Sequence, residues 1–110
     1  MELNAYQSRA LTTQLTKGAP QEFFHLVLGL VGEAGEVAEK VKKWVRDQGA
    51  DPEQLDRAAL KKELGDVLWY LAVLADELGY SLEEMAQGNL DKLSDRLSRG
   101  VLTHASGDER

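Results

Sequence analysis

The chain has 110 residues, 43% of them hydrophobic, a formal net charge of −6 and no cysteine. Its length sets a single domain that buries only about two-thirds of its unfolded surface, so a supporting subunit would help it. The acidic balance excludes a nucleic-acid backbone or an anionic membrane as main partner, and the missing cysteines exclude disulfides and thiolate metal sites.

Met1-Glu2-Leu3-Asn4 lacks the basic and apolar regions of a signal peptide. The longest apolar run, Val67 to Ala75, is about half a membrane span. Both features imply a soluble, cytoplasmic protein.

Four helices are predicted, and no strand. The first runs from Leu3 to Leu15, with Asn4 as a cap and Leu3, Tyr6, Ala10 and Leu11 on one side. Lys17-Gly18-Ala19-Pro20 breaks the pattern. The second helix runs from Gln21 to Asp47 on a seam of Leu26, Leu30, Val37, Val41 and Trp44. Gly49 ends it, and Asp51-Pro52-Glu53 reads as an Asp cap with proline at the first position of a short turn.

The third helix, Arg57 to Leu78, has the clearest period, in Leu60, Leu64, Val67, Leu71, Leu74 and Leu78, with Gly79 as its stop. Ser81-Leu82-Glu83-Glu84 is a capping box for a fourth helix reaching Leu97, on Leu82, Met85, Ala86, Leu93 and Leu97. Residues 1–100 form the domain and 101–110 a polar, flexible tail. The expected fold is an all-α antiparallel four-helix bundle.

Two acidic pairs interrupt the apolar helices. Glu33-Ala34-Gly35-Glu36 is answered, across a 26-residue spacer, by Glu63-Leu64-Gly65-Asp66. The i,i+3 spacing puts each pair on one helix face. With Leu26 as zero, Glu33 falls about 20° from it, inside the apolar stripe; Glu36 and Lys40 lie on the flank. With Leu60 as zero, Glu63 lies about 60° off the seam and Asp66 about 120°.

An ionised carboxylate in an apolar seam costs several kcal/mol unless it is paired or bound to metal. Two readings answer that cost. One is a divalent-metal site, where hard oxygens without thiol or imidazole suit Mg²⁺, with Mn²⁺ as substitute. The other is a buried salt-bridge network through Lys40, four residues from Glu36. A di-iron bundle would need Glu-x-x-His on two helices, and only Glu22-His25 has it. Gly32, Gly35 and Gly65 each cost a helix around 1 kcal/mol relative to Ala, which points to a close approach there.

The fourth helix carries a polar intrusion of opposite sign. Asn89, Lys92 and Arg96 lie along one side, Asn89 and Arg96 within about 40° of the seam. Metal, lysine and arginine together neutralise a polyphosphate, and Asn can read a base or sugar edge. The bland alternative is two basic stems lying over apolar surface. Trp69 and Val73 make the third helix apolar all round, which implies a homodimer.

Gly32-Glu33-Ala34-Gly35-Glu36-Val37, then Glu63-Leu64-Gly65-Asp66-Val67-Leu68-Trp69-Tyr70, then Asn89-x-x-Lys92, closely resemble the MazG-like nucleoside triphosphate pyrophosphohydrolases. Asn4-Ala5-Tyr6-Gln7 is similar to the start of many short members. The resemblance implies an all-α enzyme, dimeric or tetrameric, that cleaves a nucleoside triphosphate with Mg²⁺ to the monophosphate and pyrophosphate. It implies Glu33, Glu36, Glu63 and Asp66 as metal ligands, Lys92 and Arg96 facing phosphates, and Asn89 and Tyr70 near the nucleotide. Related dCTP-cleaving enzymes stack the base on a tryptophan from which Trp44 is displaced by one residue.

House-cleaning of the nucleotide pool is the expected role. Two alternatives stay open: a catalytically silent helical dimer that binds nucleotide or a protein partner, and a phosphoribosyl-ATP pyrophosphohydrolase.

Overall fold

Why the chain folds around its third helix is visible in one turn of it. Ala72, Val73, Leu74 and Ala75 are all buried, Ala72 and Val73 completely. Two small alanines in that turn let neighbouring helices come close, while Val73 and Leu74 supply apolar area. In the computed structural model, which describes residues 1–100, these four lie on α3 (Arg57–Glu77). The other helices are α1 (Leu3–Leu11), α2 (Glu22–Gln48) and α4 (Leu82–Ser98), with a 3₁₀ turn at Pro52–Gln54. The described residues are all-α, with four helices and no strand.

Ala72 packs with Ala10 of α1 and Leu82 of α4, while Val73 and Leu74 pack with Leu26 of α2. Trp69 lies against both clusters. Each large apolar side chain buried this way contributes about 1.5–3 kcal/mol.

Polar side chains tie the ends. The buried amide of Gln7 donates to the carbonyls of Ala72 (3.0 Å) and Tyr80 (3.2 Å), and its oxygen accepts from the Leu82 N–H (3.0 Å). One side chain of α1 thereby fixes the α3–α4 connection. Asn4 caps α4 rather than its own helix: its Oδ1 accepts from the Glu83 N–H at 3.0 Å.

Helix α1 stops at Leu11, four residues before the expected Leu15, because the Thr12 and Thr13 hydroxyls donate to the carbonyls of Arg9 and Ala10 at 2.6 Å each. Such local bonds compete with the helix ladder. The caps at Asp51, Ser81 and Glu84 form as the sequence predicts. Gly49 ends α2 at φ +60°, a conformation favouring glycine.

The seams differ from expectation at their ends. Val41, Leu64, Leu78, Met85 and Leu97 are exposed. Val73 is buried within the chain by α2, so the all-round burial inferred for α3 is met there without a partner. What α3 leaves uncovered is Leu64 and Leu68, nearer its N-terminus, as α2 leaves Phe24, Leu28 and Val31. No described helix is long and apolar enough to cross a membrane. The tail expected at 101–110 lies outside the described residues.

Candidate active site

The long pairing of α2 with α3 brings the two acidic motifs face to face. One carboxylate oxygen from each of Glu33, Glu63 and Asp66 lies within 4.8 Å of the others. Glu33 and Glu63 are half-buried and Asp66 is exposed. Glu36, one turn beyond Glu33, is exposed and stands outside this group of three.

The crowding has an electrostatic signature. Partial burial, then the charge of Asp66, a hydrogen bond to the Glu63 carboxylate and the charges of Glu63 and Glu36 push the Glu33 carboxyl above its ordinary range. An acid that resists ionisation among other acids needs a cation to become comfortable.

Lys40 is the cation the chain itself supplies, with Nζ 3.8 Å from Glu63 Oε1. The sequence paired it with Glu36 on its own helix; it reaches across to α3 instead. A half-exposed contact of that length is worth little and leaves Glu33 unrelieved. The salt-bridge network is therefore too small to account for the cluster.

A Mg²⁺ with bonds of about 2.1 Å holds opposite oxygens about 4.2 Å apart. The observed cluster is scarcely wider, and its donors are all hard oxygens, so the residues fit such an ion.

Tyr70 takes its place through a residue that the sequence did not single out. Its ring lies across Gly29 of α2 so closely that a Cβ there would overlap the ring carbons and hydroxyl. The expected close approaches at Gly32, Gly35 and Gly65 do not occur within the chain, since a Cβ on any of them would meet nothing within 4 Å. Tyr70 stands edge-on to Trp69, with ring centroids 4.9 Å apart, and the Trp69 indole N–H donates to Thr13 Oγ1 at 2.7 Å. Thr13, Glu33, Asp66, Trp69 and Tyr70 line a cavity of about 330 Å³. Thr13 and Trp69 were missed because nothing in their spacing distinguishes them from loop and core.

The residues of α4 lie apart from this cavity. Asn89 and Lys92 are exposed, and Arg96 is buried, with Nη1 lacking a hydrogen-bond partner among the described residues. Trp44 lines a different cavity, of about 370 Å³, with Lys40 and Lys43, and its indole N–H is tied to the Asp51 carbonyl at 2.7 Å. Glu22, the one acid with a metal-like histidine spacing, is held by Gln14 and Thr16.

The MazG nucleotide pyrophosphohydrolase domain matches residues 21–100, which contain both acidic pairs. The chain belongs to that family, a class of hydrolases acting on nucleoside triphosphates.

Among particular proteins, the chain is 44% identical to the gene 37 protein of Mycobacterium phage L5, with all of both chains covered. It is 37% identical to dCTP pyrophosphatase 1 of Mus musculus over 84% of this chain and 60% of that one. It is 40% identical to the uncharacterized protein YvdC of Bacillus subtilis, over 61% of this chain and 68% of the relative. The chain thus spans under two-thirds of the length of the mouse dCTP pyrophosphatase. No solved structure matches.

Proposed function

We propose that this chain hydrolyses nucleoside triphosphates to the monophosphate and pyrophosphate with Mg²⁺ or Mn²⁺ held by Glu33, Glu63 and Asp66, and that Glu36 completes the acidic shell. The observation carrying this reading is the convergence of three carboxylates, one of them electrostatically strained, on a cavity walled by Tyr70. When bound, the ion supplies charge neutralisation and orientation of the phosphates. The chain's own part is to fix the acids on two rigid helices and to hold Tyr70 beside the nucleotide. The half-buried setting of Glu33 and Glu63 limits the water that competes for them.

The working unit is a homodimer, or a pair of dimers. Support comes from the uncovered face: Phe24, Leu28 and Val31 follow the spacing of one side of α2, and Leu64 and Leu68 stand out from α3. Gly32, Gly35 and Gly65 carry open space beside them, which a second copy would fill. Assembly is also the route by which the exposed Asn89 and Lys92 of α4 meet an acidic cluster and its phosphates, while Arg96 stays buried within its own chain. Nucleotide-pool house-cleaning in the cytoplasm is the role this chemistry suits. dCTP, named for the mammalian relatives, is the first nucleotide to try.

The test is pyrophosphate release across normal and modified nucleoside triphosphates, read as phosphate after adding inorganic pyrophosphatase. Release that requires Mg²⁺ or Mn²⁺ and stops with EDTA supports the reading. A panel that yields none removes it.

A further inference from the structure

Five side chains line the cavity that holds the acids, and four of them stand on α2 or α3. The fifth is Thr13, two residues past the end of α1. Its hydroxyl is engaged twice: it donates to the Ala10 carbonyl at 2.6 Å and accepts from the Trp69 indole N–H at 2.7 Å. An indole N–H can only donate, while a hydroxyl has one proton and two lone pairs. With that proton committed to Ala10, a lone pair is what Thr13 turns to Trp69, so the contact has one polarity. Donating to a carbonyl also makes the hydroxyl a better acceptor.

This bond gives Trp69 its orientation. Packing against the two core clusters holds the indole in place, but apolar contact is non-directional. The N–H is the only polar group on the ring, so its partner decides which edge faces the turn after α1. From Trp69 the order passes to Tyr70. The two rings meet at 86° with centroids 4.9 Å apart, the edge-to-face geometry that aromatic pairs favour. Tyr70 also lies across Gly29, so its ring is set by α2 and by Trp69 together. The hydroxyl bonds that end α1 early thereby carry the end of α1 into the wall of the acid cavity.

From this we infer that Thr13 is a positioning residue for the nucleotide site, acting through Trp69 on Tyr70, and that the site requires a hydroxyl at position 13. The inference rests on the function proposed above, with the nucleotide beside Tyr70. Removing the hydroxyl acts on Trp69 rather than on the helix end. The Ala10 carbonyl also accepts from the Thr13 backbone N–H at 2.9 Å, so it keeps a partner without the side chain. The Trp69 N–H has no other protein partner among the described residues. Thr13 is exposed, so water can satisfy that N–H at little cost in stability, but mobile water does not fix the direction of the ring. Thr13→Val keeps the shape and deletes the hydroxyl, whereas Thr13→Ser keeps the hydroxyl.

The experiment compares the wild type, Thr13→Val and Thr13→Ser by three measurements. The first is the ¹H–¹⁵N spectrum of the two indole N–H groups, with Trp44, which is bound to the Asp51 carbonyl, as internal reference. The Trp69 signal should move in Thr13→Val and stay near its wild-type position in Thr13→Ser, while the Trp44 signal stays in both. The second is calorimetric titration, with Mg²⁺, of the α,β-imido analogues of dCTP, dGTP, dATP and dTTP. The analogue that the wild type binds most tightly should bind about five- to tenfold more weakly to Thr13→Val, the scale of one hydrogen bond, and within about twofold of wild type to Thr13→Ser. The third is Mn²⁺ titration without nucleotide, which should be the same in all three because the acids stand on α2 and α3. Equal nucleotide binding by Thr13→Val and the wild type overturns the inference. So does a loss that Thr13→Ser shares, or one accompanied by weaker Mn²⁺ binding, since either makes Thr13 a general support of the fold. If the pattern holds while no nucleotide is hydrolysed, the role of Thr13 stands and the proposed reaction alone falls.

Discussion

Glu22 and Glu33 lie about three turns apart on one helix and have opposite fates. Glu22 is buried but satisfied: Gln14 Nε2 donates to it at 2.9 Å and Thr16 Oγ1 at 2.7 Å, and these bonds hold its carboxyl below its ordinary value. It ties the loop after α1 to the start of α2. Glu33 is less buried, yet its neighbours are Asp66, Glu63 and Glu36, and its carboxyl is pushed up. The first acid is built to be charged within the fold as it stands. The second carries its charge against its surroundings, which a bound cation would relieve. Burial alone would have ranked them the other way, so what marks a functional acid here is the sign of its surroundings.

The largest effect should come from the acids of the cluster. Glu63→Gln keeps the size of the side chain and replaces an anionic oxygen donor by a neutral amide, so pyrophosphate release should fall about 100-fold or more. Glu22→Gln should leave turnover within a few-fold of wild type, measured at the same Mg²⁺. Equal losses in the two variants would erase the distinction between them.

Stability should divide the other way. Glu22→Ala removes the acceptor for two buried or half-buried donors, and a melting scan at neutral pH should show a fall of several degrees. Gly29→Ala probes the wall of the Glu33 site. The added methyl drives the Tyr70 ring from its place, while the helix gains up to about 1 kcal/mol from alanine. Urea unfolding should therefore change by no more than about 1 kcal/mol, and nucleotide turnover should still drop several-fold.

The smallest effect is in pH dependence, where the two acids have opposite signs. The depressed value of Glu22 contributes stability present above the ordinary value of 4.5 and lost as pH falls through the folded value. The raised value of Glu33 means that the folded chain holds its proton more tightly. Its contribution favours folding at low pH and is lost as pH rises from 4.5 through the raised value. Metal-free Glu33→Gln should consequently melt slightly higher than wild type at neutral pH, with the gain vanishing below the ordinary carboxylate range. A lower melting point at neutral pH would contradict the crowding.

Much of this was legible in the residues. The capping box at Ser81 and Glu84, the Asp51 cap and the glycine stops are local chemistry, which the sequence carries whole. The i,i+3 spacing singled out four acids, because a helix converts spacing into direction; Glu33, Glu63 and Asp66 converge, and Glu36 stands outside them. What depends on which helix lies where was not legible. Asn4 looked like a cap for its own helix and serves α4. Lys40 looked like a partner for Glu36 and reaches Glu63. Gly29 gave no sign of its role, since only the crossing of α2 with Tyr70 creates the need for it. Thr13 acquires meaning only once α1 is laid against α3 and the Trp69 indole reaches it.

The central claim is that the acidic cluster is a metal site and the Glu22 network is not, and manganese titration tests it without depending on turnover. Calorimetry of nucleotide-free protein should show Mn²⁺ binding to the wild type and to Glu22→Gln with similar affinity, and a weakening of about tenfold or more in Glu33→Gln. Equal Mn²⁺ binding by Glu33→Gln and the wild type would contradict the account.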